Sequence, residues 1–211
     1  MSKRRDKRFW RAPLLWPRGE CFIIGGGPSV KHLDIDKLQE RRTIAVNMAF
    51  RLGNWMDAMF FGDCRWYAAN YKELLNFAGL KITTCEQHFD KPGIKVIQRK
   101  NGQSGLSTDQ NMVWWNLSSG ACAINLAVHF GVKRIILLGF DMQTNDDDEH
   151  HWHQYYIQQG AKPHPKRSPY KRFMKPFSAI AKALERRKVE CVVVGPSALD
   201  MFKQVSFEDT L

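Results

Sequence analysis

The residues best able to do chemistry fall into two groups. The first is Gly25-Gly26-Gly27-Pro28-Ser29, which closes the apolar run Cys21-Phe22-Ile23-Ile24. Glycines let a chain turn tightly, Pro28 suits a turn or a first helical position, and Ser29 can cap a following helix. Backbone N–H groups at a helix N-terminus attract anions, so this stretch suits a phosphate or nucleotide. It reads equally as a plain strand-to-helix turn. It is neither G-x-G-x-x-G nor a Walker A loop, because no Lys-Ser/Thr pair follows at the required spacing.

The second group is Asp146-Asp147-Asp148-Glu149-His150-His151-Trp152-His153, with His164 beyond it. A histidine can take the proton of an acceptor hydroxyl, which makes His151 and His153 candidate general bases. The grouped acids could instead hold Mg²⁺ or Mn²⁺ through oxygen ligands, as phosphoryl or diphosphoryl transfer requires. A zinc site here is disfavoured: no cysteine stands close by and no H-E-x-x-H is present. The plain alternative is a solvated acidic loop.

Short apolar runs must position these groups. Cys21–Ile24, Thr43–Val46, Ala58–Phe61, Leu80–Thr84, Ile94–Gln98, Lys133–Leu138 and Cys191–Val194 read as strands. Helical spacing spans Trp66–Phe77 and Phe173–Arg187. Ser118-Ser119-Gly120, the apolar Ala121–Phe130 and Gly131 read as N-cap, buried helix and C-cap. Strands alternating with helices predict an α/β protein with a Rossmann-like, mostly parallel sheet flanked by helices. Ligands of such sheets sit at the C-terminal ends of the strands. Gly25, Gly27, Ser29, Asn47, Asp63 and Asp141 fall at those ends, and Asp141 joins the candidate catalytic residues. Asn101–Asp109 reads as a loop. Residues 142–172 read as a long, irregular, His- and Lys-rich loop or lid. Gly-Pro-Ser recurs at 27–29 and 195–197, which suggests one turn solution used twice.

At 211 residues the chain fits a basic N-terminal arm, residues 1–18, and a single domain, 19–211. Trp10, Leu14, Leu15 and Trp16 could dock the arm on the body. The formal net charge of +11 favours polyanionic partners, or a merely solvated basic face. Part of it gathers at Lys162, Lys166, Arg167, Lys171 and Arg172, a candidate surface for an anionic acceptor such as nucleic acid. Aromatic residues from Trp66 to Tyr71, at Trp114 and Trp115, and at Trp152 could stack bases, although core packing suits Trp66–Tyr71 better. No helix-turn-helix, zinc finger or RNP signature is present. The five cysteines are scattered without a C-x-x-C pair, which predicts reduced thiols in a cytoplasmic protein. No apolar run is long enough to span a bilayer, and no apolar segment follows the basic N-terminus to make a secretory signal.

The pattern Ile-Ile-Gly-Gly-Gly-Pro-Ser, Asn47, Ser118-Ser119-Gly120 and Ile-Leu-Leu-Gly-Phe-Asp resembles the bacterial sialyltransferases of glycosyltransferase family 42. It is similar also to domains of flagellin-modification proteins and an archaeal pterin diphosphokinase, and to short phage-encoded proteins with a His-Trp-His segment. The resemblance covers about residues 20–141 and, more loosely, 177–202. It implies a nucleotide-sugar donor, with Gly25, Gly26, Gly27 and Ser29 near phosphate or ribose. It further implies Asn47 and Asp63 near the nucleotide, and Ser118, Ser119 and Gly120 near phosphate or sugar. The chain departs from the family at Gly26, where the family carries asparagine, and at Asn116, where it carries arginine. Ser168-Pro169-Tyr170-Lys171 stands where the family places its catalytic histidine.

Three readings follow. The first is a nucleotide-sugar-dependent glycosyltransferase acting on an anionic acceptor, with phage nucleic acid one candidate and the host cytoplasm its setting. The second is a metal-dependent diphosphotransferase or other nucleotide-processing enzyme. The third is a nucleic-acid-binding protein without catalysis.

Overall fold

The computed structural model describes residues 8–144, 149–153 and 170–211. In chain order the strands are β1 (Glu20–Ile24), β2 (Thr43–Val46), β3 (Ala58–Phe61), β4 (Leu80–Thr83) and β5 (Ile94–Val96). There follow β6 (Gln98–Lys100), β7 (Met112–Trp114), β8 (Arg134–Leu138), β9 (Glu190–Val194) and β10 (Lys203–Val205). The helices are α1 (Cys64–Leu74), α2 (Ser119–Phe130), α3 (Tyr170–Met174) and α4 (Phe177–Arg186).

Eight strands form one sheet in the order β10-β9-β8-β1-β2-β3-β4-β5, and β6 pairs with β7 separately. Every described pairing is parallel, with Ile23 of β1 set between Ile44 and Leu137. The chain builds outward from β1 to β5, then returns to β1's other side with β8. The order therefore reverses between β1 and β8, which is where open parallel sheets bind ligands.

Both faces are covered, so the central strands are apolar throughout rather than alternating. Cys21, Ile23, Ile44, Phe60, Ile135 and Leu137 pack under α2 and α4. Phe22, Ile24, Ala45, Met59, Phe61, Ile136 and Leu138 face α1 and the 3₁₀ turns Pro28–His32, Ile35–Leu38 and Asn47–Leu52. The helix-or-turn expected from Ser29 is thus a 3₁₀ turn with Gly27 as its N-cap. Pro28 takes the first position, where its missing N–H costs nothing.

The arm is docked from residue 8 onward. Trp10 and Trp16 donate backbone hydrogen bonds to Val96 and Phe130, and their rings meet Phe130 edge-on. Leu14 and Leu15 stay exposed. The expected helix over 173–187 is interrupted by Lys175-Pro176, since proline cannot continue a helical hydrogen-bond ladder. The cysteine expectation needs correction. Cys21 and Cys122 are buried free thiols and Cys191 is a half-buried one, but Cys64 and Cys85 are disulfide-bonded. Neighbouring strands β3 and β4 end just before them and bring their Cα atoms to 5.6 Å. No helix among the described residues is long and apolar enough to cross a membrane.

Candidate functional site

At the switch point the glycine turn after β1 meets the Gly139-Phe140-Asp141 segment after β8. Gly25 and Gly27 donate backbone hydrogen bonds to Leu138 and Gly139 at 2.7 and 2.8 Å. Ser29 then donates twice to the Asp141 carboxylate: its N–H at 2.8 Å and its hydroxyl at 2.6 Å. Asp141 is only 4% exposed. Burial pushes its carboxyl up, while the two Ser29 hydrogen bonds oppose that shift.

The glycines are there because other groups fill their side-chain space. A Cβ on Gly27 would lie 2.6 Å from the Asp141 carboxyl carbon. Gly25 and Gly120 would each drive a Cβ into the Phe140 ring, at 3.1 and 2.7 Å. One aromatic ring thus separates the glycine turn from the N-terminus of α2. The second Gly-Pro-Ser grips the same segment from the other side: Ser197 donates its hydroxyl to the Phe140 carbonyl at 2.7 Å, and Ala198 donates its N–H to that of Asp141 at 2.8 Å. Phe140 and Ser197 stand in motifs visible in the sequence, Gly-Phe-Asp and the repeated Gly-Pro-Ser, but their place in the site is set by the fold.

Gly26 faces the histidine segment. Trp152 donates its N–H to the Gly26 carbonyl at 3.0 Å, and a Cβ on Gly26 would stand 3.2 Å from His151 Nδ1. His151 and His153 stack with centroids 5.3 Å apart and planes 4° from parallel. Burial pushes His151 down against a hydrogen bond to the Gly26 backbone, with charge on His150 adding to the fall. Burial, His151 and Arg51 together bring His153 to about 4. Both rings are neutral near pH 7, rather than poised near neutrality. Tyr170 donates to the His150 carbonyl at 3.0 Å, and burial with the Asp141 charge pushes its phenol up to about 12.

Around this centre the backbone is unusual. Asn47, Asn116, Leu117 and Met142 have φ between 49 and 61°, a left-handed region that non-glycine residues avoid. Such residues persist only where the surroundings hold them, and they gather at functional sites. Ser118 begins α2 without a side-chain capping bond. The first-turn N–H groups of that helix lack intrahelical partners by construction. A Cβ on Gly62 would lie 3.2 Å from Ser119 Oγ, so the end of β3 adjoins the same helix start.

Other expected residues lie apart or outside the description. Asp63 is exposed and caps α1 by accepting from the Arg65 N–H at 2.8 Å. Asp146, Asp147, Asp148, Lys162, Lys166 and Arg167, with most of the 142–172 lid, lie outside the described residues. Glu149 pairs with Lys31 at 2.6 Å. Lys171 and Arg172 are exposed on α3. Among the described residues, the group able to hold a metal is Cys64, Cys85 and His88, remote in kind from the acidic Mg²⁺ set expected.

The comparisons with known proteins bear on this arrangement. The sialyltransferase CstII from Campylobacter jejuni, solved with the substrate analogue cytidine-5'-monophosphate, is similar over 90% of this chain and 86% of its own, with TM-score 0.59 and 15% identity. The chain shares the fold of that protein. A second CstII structure, with CMP-3FNeuAc, gives TM-score 0.53 at 15% identity over 89% of this chain and 85% of that one. No protein-family model and no curated protein matches the sequence. The CstII-like fold shows the α/β, Rossmann-like class expected from the strand pattern, with a sheet that is parallel throughout its described pairings.

Proposed function

We propose that this protein is a nucleotide-sugar-dependent glycosyltransferase whose donor lies over the switch point. One observation carries the reading: the glycine turn, the α2 N-terminus and the stacked His151–His153 pair converge where the strand order reverses. The donor phosphate faces the first-turn N–H groups of α2, where a negative charge is favoured, and the glycine turn forms the neighbouring wall, its Gly25, Gly27 and Ser29 N–H groups being held by Leu138, Gly139 and Asp141. The acceptor hydroxyl attacks the anomeric carbon as the bond from that carbon to the phosphate oxygen breaks. The nucleotide leaves with the electron pair, and His151 receives the hydroxyl proton. His153 stacks beside it and fixes the ring plane. A bound phosphate also raises the basicity of both rings, since an adjacent negative charge favours the imidazolium.

Asp141 acts in this scheme by holding Ser29 and hence the turn. CMP-linked donors are the first to test, because the CstII structures were solved with CMP compounds. The net charge of +11, together with exposed Lys171 and Arg172, supports an anionic acceptor, nucleic acid included. A divalent ion at Asp146–Glu149 would offset phosphate charge in the same reaction.

Calorimetry against CMP-, UDP- and GDP-linked compounds, with and without chelator, tests the donor half. Saturable binding of one class is expected, and binding of none would sink the reading. His151→Ala should keep donor affinity while turnover falls by about 10²–10⁴-fold. Unchanged turnover would remove His151 as the base.

A further inference from the structure

A second cluster stands on the same edge of the sheet, three strands from the switch point. Cys64 opens α1 just beyond β3, and Cys85 and His88 follow β4. The two Sγ atoms and a His88 ring nitrogen all lie within 4.8 Å of one another. Cys85 and His88 are buried, at 3% and 6% exposure, while Cys64 is half-exposed and gives access from solvent.

As a disulfide site alone, the cluster leaves an anomaly. His88 is buried against Tyr67, with ring centroids 4.1 Å apart; neither ring nitrogen makes a well-formed hydrogen bond among the described residues, and the polar groups acting on the ring are the Gln87 backbone and the Lys91 charge. Buried polar groups are normally satisfied, and an imidazole without a well-formed bond calls for an explanation. A disulfide sulfur is only a weak acceptor for a ring N–H. A cation held by both sulfurs has an open bond to give it.

We propose that reduced Cys64 and Cys85, with His88, bind a thiophilic divalent cation, zinc by chemistry. Tetrahedral zinc at about 2.3 Å from sulfur and 2.0–2.1 Å from nitrogen sets neighbouring ligand atoms roughly 3.5–3.8 Å apart, inside the 4.8 Å that bounds this cluster, once the sulfur–sulfur bond is opened. Water fills the fourth position. Cys64 lies in the first turn of α1, where unsatisfied N–H groups favour the thiolate a metal needs. The ligand set is soft, which excludes Mg²⁺ and Ca²⁺ and separates this site from any oxygen-ligated ion beside the nucleotide.

The site is redox-gated. Reduction by a phosphine breaks the Cys64–Cys85 bond; two electrons pass from phosphorus, and water supplies the phosphine-oxide oxygen and the two thiol protons. The cation then displaces those protons. The inference does not depend on the glycosyltransferase reading.

The test uses the full chain, reduced with a phosphine and titrated with Co²⁺ as a spectroscopic stand-in. One equivalent should bring a thiolate-to-cobalt charge-transfer band and tetrahedral d–d bands, both abolished by Zn²⁺. Cys64→Ser should lose the charge-transfer intensity, and His88→Gln should bind about tenfold or more weakly, as loss of metal-site partners does. Circular dichroism of each variant checks folding. In addition, the melting temperature of reduced wild type should rise with one equivalent of Zn²⁺, and that of Cys64→Ser should not. Absence of the charge-transfer band in reduced wild type, or wild-type affinity in His88→Gln, would overturn the proposal and leave a structural disulfide.

Discussion

The two edges of the sheet are built on different terms. At the N-terminal edge, charges are paired in a chain: Arg41 meets Glu20 at 2.9 Å, Glu20 meets Arg134 at 3.3 Å, and Arg134 meets Glu190 at 3.2 Å. Asp57 accepts from the Thr43 N–H and pairs with Arg42 beside them. The left-handed residues on that edge, Arg18 and Lys188, close ordinary turns, Lys188 just past the end of α4. The C-terminal edge instead holds Asn47, Asn116, Leu117 and Met142 in left-handed backbone, with buried atoms such as His150 Nδ1, Trp152 Nε1 and Thr84 Oγ1 unpartnered among the described residues. Buried atoms without a hydrogen-bond partner among the described residues occur at both edges, Arg134 Nε and Trp55 Nε1 at the first, so the edges differ in charge pairing and in how many residues they hold left-handed. Strain of about 1–3 kcal/mol per such residue persists where the rest of the fold over-determines it, and a binding site is the usual reason.

Substitutions can break or sharpen this contrast. The largest effect belongs to Gly27→Ala, because its Cβ would meet the Asp141 carboxyl at 2.6 Å and the Gly139 carbonyl at 2.7 Å, and neither can easily yield. Chemical denaturation should show a loss of about 3 kcal/mol, at the upper end of overpacking costs. Calorimetry should show donor binding fall with it. An unchanged stability would mean the C-terminal edge is looser than its contacts imply.

The next effect is in pH. Burial holds the native pKa of His151 and His153 below the ordinary 6.5, His153 at about 4. The unfolded chain therefore binds more protons than the native one between those values. The stability contributed by the neutral rings is complete above about 6.5 and is lost as pH falls through about 4. Thermal midpoints should decline across that window, and His153→Gln should flatten the decline. The smallest effect belongs to the other edge: Arg134→Ala should cost no more than about 1 kcal/mol, since its ion pairs are a third exposed and screened. Its donor binding should match wild type.

Much of this was legible beforehand where local pattern sufficed. Thr43–Val46 and Ala58–Phe61 match their strands residue for residue, because strands buried on both faces are continuous apolar runs. Gly131 ends α2 in the left-handed conformation that a C-cap glycine predicts. The edge pieces β6, β7 and β10 are three residues each and carry no periodicity, and the apolar pattern of Ile94–Gln98 predicts one strand where the segment divides between two sheets. Long-range pairings were invisible for the same reason. Ser29 and Asp141 were both named, but nothing in a one-dimensional pattern joins residues 112 apart. The Cys64–Cys85 bond likewise depends on β4 lying beside β3, which only topology reveals.

The Phe140 ring, fitted between Gly25 and Gly120, is the wall shared by the glycine turn and the start of α2. Neither glycine can accept a side chain while the ring stays, and the ring cannot shrink without opening a void under both loops. Gly25 stays closed even to a smaller residue 140, because the Gly139 carbonyl would lie 2.7 Å from its Cβ, whereas Gly120 is closed by the ring alone. The size of residue 140 therefore sets the crevice at its α2 lip, while the glycine-turn lip is held by backbone as well.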